Sequence, residues 1–208
     1  MNPIDLRLYL VTDRDLLKNR DLFDVVEKAV QGGVTVVQLR EKHASSREFY
    51  EVALRMKQLL SPYHVPLIIN DRLDIVLAVD AEGLHIGNSD IPVEVARRVM
   101  GRNKILGLSV ENESDAKKAQ SLDVDYIGLS PIFSTDTKRD TAPALGLEGA
   151  TSIQRFNTLP AVAIGGINLT NVSAVMGTGV DGVAVVSAII CADDPCQAAR
   201  SLREKLAR

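Results

Sequence analysis

Eight short apolar runs rich in β-branched residues succeed one another along the chain, each followed by a polar turn and then by a stretch with helical spacing of apolar positions. The expected strands are Leu8–Val11, Val34–Leu39, Pro66–Ile69, Gly83–Ile86, Ile105–Ser109, Tyr126–Leu129, Ala161–Ile164 and Gly182–Val186. The expected helices are Leu22–Val30, Arg47–Leu60, Leu73–Val79, Val93–Met100, Glu113–Ser121, Leu147–Gln154, Leu169–Met176 and Cys196–Leu206. In the second helix Phe49, Val52, Ala53, Met56, Leu59 and Leu60 recur at three- and four-residue steps against Arg47, Glu51 and Arg55, a stripe that no strand can carry. Strands that are apolar at nearly every position need cover on both faces, and strict alternation with helices implies parallel pairing through right-handed crossovers. Eight repeats of roughly 26 residues predict an α/β fold, a single (β/α)8 TIM barrel spanning residues 1–208. An open doubly wound sheet is the alternative. It is disfavoured because Val11-Thr12-Asp13-Arg14 follows the first strand where a Gly-x-Gly-x-x-Gly turn is expected.

Composition narrows the function. The 208 residues carry 24 Lys+Arg against 27 Asp+Glu, for a net charge of −3, and 46% are hydrophobic, which is ordinary globular usage. With no Trp and no basic excess, nucleic-acid binding is disfavoured. No apolar run is long enough for a membrane span and no signal-like start is present, so a cytoplasmic protein is expected, with a homo-oligomer left open. Cys191 and Cys196 are too few for a disulfide scaffold or a zinc site.

In a barrel of this kind ligands bind at the carboxyl ends of the strands. Those ends read Gln38-Leu39-Arg40-Glu41-Lys42, Asn70-Asp71-Arg72, Gly87-Asn88-Ser89-Asp90 and Ser109. They continue with the long connection Ser130 to Arg139, then Gly165-Gly166 and Ser187. Asp71 and Asp90 follow adjacent strands and can converge on one hard cation; Mg²⁺ fits, since it takes one or two carboxylates plus water and phosphate oxygens. Arg40, Lys42 and Lys138 face the same mouth and exceed what two aspartates holding a divalent ion would balance, so the missing negative charge is expected from substrate. Gly165-Gly166 and Ser187 stand at the usual phosphate position of the fold, and two anionic groups are implied. Plainer roles compete. Asp71-Arg72 can be a surface ion pair, Asp90 an N-cap, Gly165-Gly166 a tight turn and Ser187 a helix start. His43, His64 and His85 are read as structural.

Together, QLREK at 38–42, INDR at 69–72, GLHIGNSD at 83–90, GLS at 107–109, PIFSTDTK at 131–138, AIGGI at 163–167 and VVSAI at 185–189 resemble thiamine-phosphate synthases, in order and over nearly the whole chain. The resemblance implies a (β/α)8 barrel that joins hydroxymethylpyrimidine diphosphate to thiazole phosphate with Mg²⁺, releasing diphosphate. By motif, Gln38, Leu39, Arg40, Glu41, Lys42, Asn70, Ser109 and Lys138 would hold the pyrimidine diphosphate. Asp71 and Asp90 would hold Mg²⁺, and Thr135, Asp136, Thr137, Gly166, Val186 and Ser187 the thiazole phosphate. Arg40, Lys42, Ser109 and Lys138 would act in catalysis. Ser130 and Ser134 replace a Gly and a Pro of the usual pattern, and Asn88 stands where Gln is common. A thiazole tautomerase-like relative and a catalytically silent barrel that binds thiamine phosphate are the competing expectations.

Overall fold

A computed structural model describes residues 4–134 and 143–206. Eight parallel strands close into a barrel in sequence order: β1 (Leu8–Val11), β2 (Val36–Leu39), β3 (Leu67–Asn70), β4 (Gly83–Ile86), β5 (Ile105–Val110), β6 (Tyr126–Leu129), β7 (Ala161–Ile164) and β8 (Gly182–Val185). The barrel closes where Leu8, Tyr9 and Leu10 of β1 meet Val183, Ala184 and Val185 of β8. Around it run α1 (Leu22–Gln31), α2 (Ser46–Leu60), α3 (Leu73–Val79), α4 (Val93–Met100), α5 (Glu113–Ala119), α6 (Gly146–Gln154), α7 (Val172–Met176), α8 (Ser187–Ile190) and α9 (Pro195–Leu206).

Two differences from the sequence reading have physical causes. The seventh helix starts at Val172 rather than Leu169, because Asn168 and Asn171 turn the chain with their side chains: Asn171 Oδ1 accepts from Asn168 N at 2.9 Å and Asn168 Oδ1 accepts from Thr170 N at 2.9 Å. The extra helix α8 has four residues, too short for any apolar period to reveal.

Side chains alternate across the strands, so the core has two parts. Outward residues such as Leu8, Leu10, Val37, Leu39 and Ile69 pack under helices with Phe49, Ala53, Met56 and Leu60. Inward residues Leu6, Tyr9, Val11, Val36, Ile68, Tyr126, Val162 and Ala184 fill the barrel. Small residues close the β1–β8 seam: a Cβ on Gly182 would lie 1.9 Å from the carbonyl oxygen of Leu6. Gly182→Ala is therefore expected to cost about 3 kcal/mol or more, since a backbone atom cannot swing aside as a side chain can. A denaturant melt reads this, and an unchanged midpoint would mean the seam is looser than the structure has it.

Candidate functional site

The same alternation decides what reaches the mouth. At the carboxyl ends of the strands the inward positions are Gln38 on β2, Asn70 on β3, His85 on β4, Ser109 on β5 and Ile164 on β7, and they line a cavity of about 500 Å³. Arg40, Lys42, Asp71, Asp90, Gly166, Val186 and Ser187 line it as well, so most of the expected site residues converge on one space. Leu39 and Glu41 do not. Leu39 points outward and is fully buried in the helix-facing core, while the Glu41 carboxylate, 3% exposed, is engaged by Arg14 at 2.9 Å. Thr135, Asp136, Thr137 and Lys138 lie outside the described residues.

Asp71 stands just past β3 with φ of 63°, a left-handed conformation that Asp tolerates better than most residues. Its amide donates to the His85 carbonyl at 2.9 Å, tying it to the neighbouring strand. Asp90 is held by its own loop, its Oδ2 accepting from Gly87 N at 2.7 Å, and Pro92 takes the cap position of α4. The N-cap reading of Asp90 therefore fails. So does the Asp71-Arg72 ion pair, because Arg72 turns to Asp74 at 2.6 Å and to Ser46 at 2.9 Å.

Asp71 feels the neighbouring Asp90 carboxylate, and its own carboxyl is pushed up to about 6. Burial is the main cause, followed by the Asp90 charge; Arg40 and Asn70 pull the other way. Two carboxylates held this close raise each other's affinity for positive charge, whether a proton or a cation. Among the described residues no group of three or more His, Cys, Asp or Glu is placed to hold a metal. A hard ion that keeps water or substrate oxygens suits this donor pair.

Arg40 is paired with Asp13 at 3.2 Å, both side chains nearly enclosed at 15% and 11% exposure. Asp13 and Glu111 also line the cavity. Sequence reasoning counted three cations against two aspartates; among the described lining residues, four carboxylates face Arg40 and Lys42. The excess charge there is negative.

On the opposite side of the mouth, Gly165 (φ 110°) and Gly166 (φ 63°) follow β7 in conformations that a side chain would strain. They are also crowded. A Cβ on Gly165 would meet Pro131 at 2.8 Å and one on Gly166 would meet Phe133 Cβ at 2.9 Å. Residues 132 and 133 hydrogen-bond to the end of this strand, Ile132 N to Ile164 O at 2.8 Å and Phe133 N to Gly165 O at 3.1 Å. Ser187 opens α8 and remains exposed at the rim. The two plainer readings, turn and helix start, are thus true of these residues and compatible with an anion between them.

The cavity residues that escaped the sequence reading include Asp13, Glu111, Tyr9 and His85. Tyr9 and His85 sit inside apolar runs, LYLV and GLHI, where they read as core. Their signal was the inward register they share with Gln38 and Ser109. Burial holds the phenols of Tyr9 and Tyr126 well above their ordinary range, so both keep their protons.

A (β/α)8 barrel with a polar cavity at its carboxyl mouth, lined by a carboxylate pair and two cations, has the build of a barrel enzyme that acts on small molecules. The sequence matches the TMP-TENI family, thiamine monophosphate synthase, over residues 8–189. It is 52% identical over 200 residues to the thiamine-phosphate synthase of Syntrophomonas wolfei, covering 96% of each chain. It is 53% identical over 199 residues to that of Albidiferax ferrireducens, covering 96% of this chain and 91% of the other. The solved thiamine phosphate pyrophosphorylase of Pyrococcus furiosus superposes with a TM-score of 0.89 at 39% identity, covering 98% of this chain and 96% of that one. The chain belongs to the thiamine monophosphate synthase family and is, with it, a transferase. No helix among the described residues is long and apolar enough to cross a membrane.

Proposed function

We propose that the protein joins 4-amino-2-methyl-5-hydroxymethylpyrimidine diphosphate to hydroxyethylthiazole phosphate, giving thiamine phosphate and diphosphate, with Mg²⁺ held by Asp71 and Asp90. One observation carries the reading: the carboxylate pair and Arg40 lie on one side of a single cavity while Gly166 and Ser187 lie on the other, which provides for two anionic substrates at once. Both substrates are small molecules, and the setting is cytoplasmic.

The C–O bond between the pyrimidine methylene and diphosphate breaks, its electron pair leaving with diphosphate. The electron-rich aminopyrimidine stabilises the methylene cation until the thiazole nitrogen attacks it. No protein nucleophile is needed. Bound Mg²⁺ would offset charge on the diphosphate oxygens. Arg40 and Lys42, with Lys138, take up the charge that grows on the leaving group, and such stabilisation counts because it is larger in the transition state than in the ground state. Gln38, Asn70 and Ser109 orient the pyrimidine; Thr135, Asp136, Thr137, Gly166, Val186 and Ser187 hold the thiazole phosphate so that its nitrogen is aligned for attack.

Incubating the purified protein with both substrates, with and without Mg²⁺, tests this. Metal-dependent thiamine phosphate formation is expected. Binding without turnover would instead indicate a silent binding barrel, and conversion of a thiazole isomer alone a tautomerase.

The Asp71 shift adds a pH test. A carboxyl raised to about 6 from 3.8 favours the protonated fold, so in metal-free protein the stability tied to this pair is full below the unfolded value and is lost as pH rises through about 6. Metal binding needs the ionised form and gains over the same interval. Mg²⁺ is therefore expected to raise the melting temperature at pH 7.5 and to leave it nearly unchanged at pH 5. Equal stabilisation at both values would remove Asp71 from the metal site.

A further inference from the structure

Five side chains from five strands form one hydrogen-bonded chain across the barrel beneath the cavity. Gln38 Nε2 donates to Tyr9 Oη at 2.8 Å, Tyr9 Oη and Tyr126 Oη are 2.8 Å apart, Tyr126 Oη and His85 Nδ1 are 2.9 Å apart, and His85 Nε2 and Ser109 Oγ are 2.9 Å apart. The interior is shaped around these contacts: a Cβ on Gly107 would lie 2.2 Å from Tyr126 Cζ and 2.5 Å from His85 Nδ1.

Counting protons gives this chain a direction. An amide nitrogen only donates, so the single proton of Tyr9 is directed to Tyr126, and that of Tyr126 to His85 Nδ1. His85 then carries its proton on Nε2 and donates it to Ser109 Oγ. The hydroxyl proton of Ser109 is left to point away from His85, and the other end of the chain presents the Gln38 carbonyl oxygen. Reversing one link alone would place two protons, or none, between adjacent atoms. With a neutral imidazole at its centre, the chain keeps or reverses its polarity as a whole.

We propose that the Gln38–Tyr9–Tyr126–His85–Ser109 chain is the device that selects an aminopyrimidine over an oxopyrimidine, by presenting an acceptor at Gln38 and a donor at Ser109. This rests on the substrate reading above. The amine of a 4-aminopyrimidine donates to Gln38 Oε1 and a ring nitrogen accepts from Ser109. A 4-oxo analogue sets its carbonyl oxygen against the Gln38 carbonyl, and relief requires the whole chain to reverse. A site built around a defined donor–acceptor pattern rejects the mismatched ligand strongly, because its own polar groups are left unpaired. Tyr9, Tyr126 and His85 are positioning residues in this scheme, and Tyr126 does not itself line the cavity.

Two measurements test it. Ring-nitrogen chemical shifts of His85 in the full-length protein report the tautomer without any ligand; a proton on Nε2 is expected, and a proton on Nδ1 overturns the assignment. Calorimetry in the presence of Mg²⁺ then compares the 4-amino and 4-oxo pyrimidine diphosphates. The unmodified protein is expected to prefer the amine by roughly a hundredfold or more. Tyr126→Phe, which keeps the ring and removes the link, is expected to shrink that preference by about tenfold, with thiazole phosphate affinity held within about twofold. An unchanged preference, or an equal loss for both pyrimidines, overturns the inference and leaves the proposed function standing. If the unmodified protein binds neither pyrimidine, the proposed function falls and this inference with it.

Discussion

Asp71→Asn and Asp90→Asn are each expected to lower Mg²⁺-dependent turnover by on the order of a hundredfold or more, while leaving the metal-free protein at least as stable as before. The first half follows from the charge a divalent ion supplies at the leaving group, worth several kcal/mol in such reactions, together with the loss of one of two anchoring carboxylates. The second half follows from the raised carboxyl of Asp71. Two partly desolvated acids in contact repel at neutral pH, and an amide in place of either removes the repulsion while keeping a hydrogen-bonding group. Asn is the substitution of choice at 71, because the backbone there is left-handed at φ 63° and Asn tolerates that conformation. Steady-state rates over a Mg²⁺ titration, paired with thermal melts in chelator, read both halves. Near-normal rates at limiting metal would remove the pair from the metal site, and a large fall in melting temperature would show that the acids serve the fold.

That opposition of stability and activity bears on what a sequence can disclose. The barrel was legible because parallel strands buried on both faces leave a distinctive run of apolar residues, and because eight such runs alternate with helical spacing; even the boundaries of β1, β4, β6 and β7 fall where they were expected. The polar strand ends were legible for the opposite reason, since charged residues directly after apolar runs have no place in a core. A linear motif, however, carries no facing. In QLREK only Gln38 and, beyond the strand end, Arg40 and Lys42 reach the cavity, while Leu39 points out and Glu41 is drawn to Arg14. The reverse error hid Tyr9 and His85, whose apolar neighbours make them look like packing although their period-two register points them inward. Asp13 was hidden because its partner Arg40 is 27 residues away and the pairing exists only once β1 and β2 are side by side. The balance of charge at the mouth could not be read until that partner was known.

Arg40 is where these two lessons meet, and its removal is the second large effect expected. Arg40→Ala should lower kcat/KM by about 10² to 10³, the usual cost of deleting a donor aimed at developing charge in an enclosed site. It should also destabilise the fold by about 2 kcal/mol, because Asp13 at 11% exposure loses its guanidinium partner. The two consequences are separable. Asp13 Oδ1 also accepts from the amides of Asp15 at 3.1 Å and Leu16 at 3.3 Å, contacts that an Asn at 13 retains through its carbonyl oxygen. In the double variant Arg40→Ala, Asp13→Asn no uncompensated charge remains, so the melting temperature should recover most of its loss. Turnover should not recover, since nothing replaces the cation beside the diphosphate. If the double variant regained activity together with stability, Arg40 would be a partner for Asp13 and no more, and the charge on the leaving group would have to be met by Lys42 and Lys138 alone. If Arg40→Ala cost stability but left kcat unchanged with only KM raised, the guanidinium would bind substrate and transition state equally, anchoring the diphosphate without assisting its departure.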